Sequence, residues 1–269
     1  METRNLLYKN AAISYRVQGA GETVVLLHGF GEDGTIWKHQ YNAFAGYRLL
    51  IPDLPGSGAS AMVEEMSLEG LAEVVHTILE AESVNQCIMI GHSMGGYITL
   101  AFAERYPQLL SGFGLFHSSA FADSEEKRST RRKGILFIEE HGAEAFLKAT
   151  IPNLYSAASK EAHPEWIEEH VSQSKTFSGA ALIAYYRSMM GRPDRTAVLR
   201  EATVPVLFVM GREDAAVPLA DGLQQCYLPA QSHVHILEAA GHTGMIEETI
   251  EANHCMNSFV NCITKPLMP

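Results

Sequence analysis

Six short apolar runs, separated by turns and helical patterns, restrict the fold of this chain more than any other feature. They are TVVLLHG (23–29), YRLLIPD (47–53), QCIMIG (86–91), GFGLFH (112–117), VPVLFVMG (204–211) and HVHILE (233–238). Several are apolar at consecutive rather than alternate positions. That pattern suits parallel strands covered on both faces better than a half-solvated antiparallel sheet. Helical periods lie between the runs. In SLEGLAEVVHTILEAES, Leu68, Leu71, Ala72, Val75, Ile78 and Leu79 follow helical spacing and form one apolar stripe, with Ser67 placed to cap it. The segments after Ser93 and from about Ile246 to Val260 also read as helices. Alternating strand and helix predicts an α/β fold with a mostly parallel central sheet flanked by helices.

The alternation stops between about Ser118 and Ala202. GILFIEEHGAEAFLKA, PEWIEEHVSQS and GAALIAYYRSMM read as helices with no strand between them, and the rhythm resumes at VPVLFVMG. A helical block between two strands is most simply a lid over the carboxyl edge of the sheet, where α/β folds bind ligands. The expected division is therefore a core of residues 1–118 and 203–269 and a helical lid over residues 119–202.

Charge and cysteine content narrow the function classes. Acidic residues outnumber basic ones by 31 to 20, a net charge of −11, which argues against a nucleic-acid partner. One local exception is EEKRSTRRK, where Lys127, Arg128, Arg131, Arg132 and Lys133 crowd together. It reads first as a solvated helix start, and second as an attractor of anionic substrate to a nearby pocket. Cys87, Cys226, Cys255 and Cys262 lack C-x-x-C spacing, and Cys87 lies within an apolar run as a small buried hydrophobe. The start, METRNLLYKN, has no signal-peptide pattern, and no apolar run is long enough to span a bilayer. These features predict a reduced cytoplasmic protein with a small-molecule substrate and no membrane association; oligomeric state is left open.

Gly91-His92-Ser93-Met94-Gly95 matches G-x-S-x-G between an expected strand and an expected helix. Such a turn strains the serine backbone, and side chains at Gly91 or Gly95 would collide with neighbouring chain. Ser93 then projects above the sheet as a nucleophile, which needs a base to take its proton. Of twelve histidines, His242 in EAAGHTGMIEE follows the last expected strand and reaches the same edge. His28 and His92 read as loop-shaping residues, His233 and His235 as strand residues, and His117 as a possible pocket residue. Asp214, in VMGREDAAVP, is the carboxylate placed to orient the base; Asp53, in DLPGSG, reads as structural. The amides of Phe30, in HGFGEDG, and of Met94 are the expected oxyanion donors.

The set LLHGFGEDGTIW, YRLLIPDLPGSGAS, IGHSMGG, GREDAAVP and AAGHTGMIEE resembles the α/β-hydrolase superfamily, in its lid-bearing branch of carboxylesterases, haloperoxidase-like enzymes and carbon–carbon bond hydrolases. The resemblance implies Ser93 as nucleophile, Asp214 as acid, His242 as base, and the Phe30 and Met94 amides as the oxyanion hole. Dehalogenases and epoxide hydrolases of this fold carry aspartate where this chain has Ser93. No H-E-x-x-H and no G-x-G-x-x-G after the first strand is present, so neither metal nor cofactor is expected. The lid aromatics and methionines suggest an apolar pocket, with Phe30, His117, Tyr155, Trp166, Tyr185 and Met189 as expected substrate contacts. The expected activity is hydrolysis of a small or medium apolar carboxylic ester. Alternatives are carbon–carbon cleavage or perhydrolysis by the same triad, or a slow-turnover receptor or regulator derived from such a hydrolase.

Overall fold

The computed structural model describes residues 1–265, so residues 266–269 of the expected core segment lie outside the described residues. Eight strands form one sheet: β1 (Glu2–Tyr8), β2 (Ala11–Gln18), β3 (Thr23–Leu27), β4 (Arg48–Pro52), β5 (Cys87–His92), β6 (Leu110–Phe116), β7 (Val206–Gly211) and β8 (Ser232–Leu237). Their spatial order is β1-β2-β4-β3-β5-β6-β7-β8. Pairing is antiparallel for β1 with β2 and β2 with β4, and parallel from β4 through to β8.

The consecutive apolar residues of the central strands have a direct cause. Val25 and Leu27 join one core layer while Val24 and Leu26 join the other, and Met89 and Ile90 divide in the same way. Helix α1 (Leu68–Ala81) and helix α2 (Met94–Arg105) cover the first face with Leu71, Val75, Ile78, Ile98 and Phe102. The second face carries Trp37, Phe44 and the C-terminal helix residues Met256, Phe259 and Val260. Ser67 caps α1 as expected, its side chain accepting from the Gly70 amide.

The N-terminal hairpin β1–β2 was not among the expected strands. Its Lys9 (φ 45°) and Asn10 (φ 71°) form a two-residue loop with both backbones left-handed, as a tight hairpin turn requires. It lies at the sheet edge, so its polar and apolar residues mix and leave no continuous apolar run.

From β6 to β7 the chain makes only helical elements. Helix α3 (Glu125–Thr150) breaks at Gly142 (φ 84°, ψ 167°). A 3₁₀ turn (Ile151–Leu154) leads to α4 (Ala157–Ala162), α5 (Pro164–Gln173), α6 (Gly179–Gly191) and α7 (Thr196–Arg200). Ile138, Phe146, Leu147, Ile151, Phe177 and Leu182 give this insert its own apolar cluster, which packs against Phe30 of the core. The remaining helices, α8 (Leu219–Leu223), α9 (Gly244–Glu247) and α10 (Thr249–Thr264), follow β7 and β8. No helix among the described residues is long and apolar enough to cross a membrane.

Because β3, β5, β6, β7 and β8 are adjacent and parallel, the loops leaving their carboxyl ends stand side by side. Those loops carry Phe30, Ser93, His117, Asp214 and His242.

Candidate active site

Ser93 sits between β5 and α2 with φ 51° and ψ −115°, a conformation unfavourable for a residue with a side chain. Neighbours hold it there. The Ser93 amide donates to the Phe116 carbonyl (2.9 Å), and the Ser118 hydroxyl donates to the Ser93 carbonyl (2.7 Å). The flanking glycines are required by close approach. A Cβ on Gly91 would lie 2.2 Å from the Gly95 carbonyl carbon, and one on Gly95 would lie 2.5 Å from the Leu27 carbonyl oxygen. Met94 is the first residue of α2, where backbone N–H groups have no intrahelical acceptor.

Asp214 follows β7 and is wholly surrounded by donors. Its Oδ1 accepts the amides of Ala216 (2.9 Å) and Val217 (2.8 Å). Its Oδ2 accepts from His242 Nδ1 (2.8 Å) and also from His117 Nδ1 (3.1 Å). Burial alone would raise the Asp214 pKa, but the two imidazoles outweigh it and hold the carboxyl well below the usual carboxylate range. Burial lowers the basicity of both rings. Asp214 more than offsets this at His242, whose pKa is raised, whereas His117 stays below the ordinary histidine value. The lowered pKa favours the neutral ring, and the bond to Asp214 calls for its proton on Nδ1. Its buried Nε2 has no hydrogen-bond partner among the described residues.

The His242 backbone is held as firmly as its ring. Its amide donates to the Leu154 carbonyl of the helical insert (2.6 Å), and its carbonyl accepts from His92 Nε2 (2.9 Å). His92 Nδ1 meets Glu32 Oε2 at 2.9 Å, and Glu32 also accepts the Gly29 amide at 2.7 Å. Burial would raise the Glu32 pKa; His92 and the Gly29 amide bring it down to about 2. Glu247 braces the loop by accepting the amides of Gly241 (3.0 Å) and Thr243 (3.2 Å). His92 therefore shapes the site, as does His28, whose Nε2 accepts the Leu54 amide at 2.9 Å. Asp53 is structural: it takes the Arg16 guanidinium (2.5 Å) and the Gly34 amide (3.0 Å).

A cavity of about 490 Å³ opens over these loops. Ser93, His242, Phe30 and Met189 all line it, together with Leu147, Ile151, Leu154 and Tyr186. Four expected substrate contacts do not. His117 is turned beneath the wall onto Asp214. Tyr155 is buried and hydrogen-bonds His170 Nδ1 (3.0 Å), and Trp166 stacks on His163 with ring centroids 3.9 Å apart. Tyr185 donates to the Pro55 carbonyl (2.6 Å) inside the core, so its neighbour on α6, Tyr186, occupies the cavity position instead. Successive helical residues point about 100° apart, and only one of the two can face a given wall.

The basic run also divides. Arg132 and Lys133 are exposed, as a solvated helix start requires, but Lys127 and Arg131 line the cavity beside Ser124 and Thr130. The wall is accordingly less apolar than the lid composition suggested. Among the described residues, His117, Asp214 and His242 form a group with donor atoms within 4.8 Å of one another, as a metal site would need. Two ring N–H groups donating to one carboxylate oxygen account for the same distances.

A model of the alpha/beta hydrolase family matches residues 24–252. The carbamate hydrolase RutD of Variovorax paradoxus is 27% identical, covering 96% of this chain and 99% of its own. The 2-hydroxy-6-oxo-6-phenylhexa-2,4-dienoate hydrolase of Comamonas testosteroni is 26% identical, covering 92% and 91%. Among solved structures, a thermophilic esterase from Thermogutta terrifontis superposes with a TM-score of 0.90 at 26% identity, over 98% of this chain and 99% of that one. In this chain the matched region holds the mostly parallel sheet and the Ser93 turn between β5 and α2. The chain belongs to the alpha/beta hydrolase family and is a hydrolase.

Proposed function

We propose that this hydrolase uses Ser93, His242 and Asp214 as a catalytic triad and cleaves small or medium carboxylic esters through an acyl-enzyme. The observation that carries the reading is the 2.8 Å bond from His242 Nδ1 to Asp214, on a ring facing the cavity that Ser93 also lines. Asp214 fixes the tautomer that leaves Nε2 free to take the Ser93 hydroxyl proton as Oγ adds to the carbonyl carbon. The Met94 and Phe30 amides receive the developing oxyanion. His242 then returns the proton to the leaving alkoxide. It next deprotonates a water, whose attack on the acyl-enzyme releases the acid and Ser93. The helical segment 119–202 is read as the lid that walls the cavity and sets substrate range.

A second reading, cleavage of a carbon–carbon bond in a vinylogous diketone, draws on the dienoate and dienedioate hydrolases among the relatives. The test combines fluorophosphonate labelling of wild type and Ser93→Ala with turnover of chromogenic esters and a vinylogous diketone. Labelling and ester turnover that vanish in Ser93→Ala are expected. Labelling that persists refutes the nucleophile, and diketone turnover without ester turnover selects the second reading. Turnover far below about 1 per second on every substrate would favour a receptor or regulator.

A further inference from the structure

We propose that the cavity wall formed by α3 contains an anion subsite centred on Arg131, so that the substrate carries a carboxylate a short chain away from its scissile carbonyl. This rests on the reading of Ser93 as nucleophile and names the substrate class of the same site.

Lys127, Thr130 and Arg131 stand at i, i+3 and i+4 on α3 and share the face that lines the cavity. One edge of the Arg131 guanidinium is fixed: Nε and Nη2 donate to Asp123 Oδ2 (2.7 Å) and Oδ1 (3.3 Å). The Asp123 carboxylate is fully buried and also takes Arg192 Nη1 at 2.6 Å. Arg192 is nearly as buried, at 3% side-chain exposure, and its other contacts are the carbonyls of Phe121 and Met189 and the Tyr97 ring, 3.9 Å away. Two guanidiniums thus share one carboxylate, leaving one positive charge unmatched within the cluster. Arg131 keeps 18% side-chain exposure, and its Nη1 bonds no protein atom among the described residues.

Three other charged side chains, Glu32, Glu126 and Lys127, line the same cavity, and none of them bonds Arg131 among the described residues. Lys127 is paired with Asp221 (3.2 Å), and the exposed Glu126 makes no ion pair with Arg131 among the described residues. Glu32 is engaged by His92 and the Gly29 amide. Partly buried charge without a full complement is costly and invites an anionic partner. A guanidinium braced along one edge offers its free edge to a planar carboxylate in fixed orientation.

A ring stack sets the distance to the chemistry. Arg131 lies over the Tyr186 ring at 5.5 Å, and Tyr186 stacks flat on Phe30 at 4.3 Å. The guanidinium carbon is therefore no farther than about 10 Å from the ring of Phe30, the residue whose amide is proposed above as an oxyanion donor. A substrate joining the two sites is short.

The experiment compares kcat/KM for p-nitrophenyl monoesters of adipic and suberic acid with p-nitrophenyl hexanoate and octanoate. It also compares 4-acetoxybenzoate with phenyl acetate, which places the acid on the leaving group. In one of the two arms wild type is expected to prefer the acid by on the order of tenfold, as one charge-assisted contact gives. That arm identifies which side of the substrate meets Arg131, and the preference falls as salt is raised. Arg131→Met should collapse the ratio to about one, and Arg131→Lys should retain part of it. No acid preference in either arm, or a ratio unchanged by Arg131→Met, overturns the subsite while neutral-ester turnover and Ser93 labelling stand. Loss of labelling and of all turnover instead refutes the nucleophile reading. If Arg131→Met does not fold, glutarate decides: salt-sensitive competitive inhibition of neutral-ester hydrolysis supports the subsite, and no inhibition overturns it.

Discussion

Replacing His117 by alanine should move the acid limb of the pH–rate profile to higher pH. Asp214 Oδ2 divides itself between two imidazole N–H groups, at 3.1 Å from His117 and 2.8 Å from His242. A hydrogen bond to a charged acceptor contributes about 1.5–3 kcal/mol. If roughly half of that passes to His242 when it becomes the sole ring donor, its pKa rises by about half to one unit. The sign follows from the role proposed for His242 as base. His242 accepts a proton only when neutral, and Asp214 already holds its pKa above that of an ordinary histidine. Undivided carboxylate charge raises it further, so activity is lost at a higher pH on acidification. The control is His117→Asn, because asparagine tolerates the left-handed backbone at this position (φ 48°) and keeps an N–H for Asp214. Both variants should lose stability, because deleting a wholly buried ring leaves a cavity, and alanine more than asparagine at this backbone. The assay is kcat/KM against pH on a neutral ester. An alanine profile that stays put or moves to lower pH, or an asparagine variant indistinguishable from alanine, refutes the reasoning.

Two further outcomes follow from the scaffold. Gly91→Ala forces a Cβ to 2.2 Å from backbone carbon and oxygen of Gly95. It should cost more than about 3 kcal/mol, visible as a melting temperature lowered by roughly 6–12 °C; an unchanged melting point would show that the turn has room after all. Glu247→Ala frees the amides of Gly241, Thr243 and Ser156, which it now accepts. Steady-state kinetics should show kcat falling on the order of tenfold or more with little change in KM, because His242, the proposed base, is misplaced while the cavity wall survives. A change confined to KM would place the effect in substrate binding instead.

What was legible in the sequence follows the range of the interaction involved. The central strands announced themselves because each is buried on both faces, and the placement of Ser93, Asp214 and His242 followed from strand ends on one edge of a parallel sheet. The β1–β2 hairpin was not visible, because edge strands exposed on one side carry no continuous apolar run. Side-chain direction within the insert was equally hidden. Tyr185 and Tyr186 are adjacent and alike, yet one is locked to Pro55 and the other stacks on Phe30. The same holds for His117, whose partner lies 97 positions away. Arg131 reads as one charge in a run until Asp123 and Arg192 close around it.

The bond from the His242 amide to the Leu154 carbonyl bears on how such enzymes diversify. The helical insert is part of the mounting of His242, the proposed base, because residues 154–157 also engage Glu247 and Glu213. Exchanging the whole insert for another would therefore disturb the catalytic loop along with the substrate wall. A graft without a carbonyl at the Leu154 position strands a buried amide, at a cost of about 1–3 kcal/mol. Substitutions on α3 and α6 touch the cavity without touching that joint. The fold thus separates a conservative seam, where the insert and the His242 loop are tied together, from a permissive wall on which new specificities can be tried.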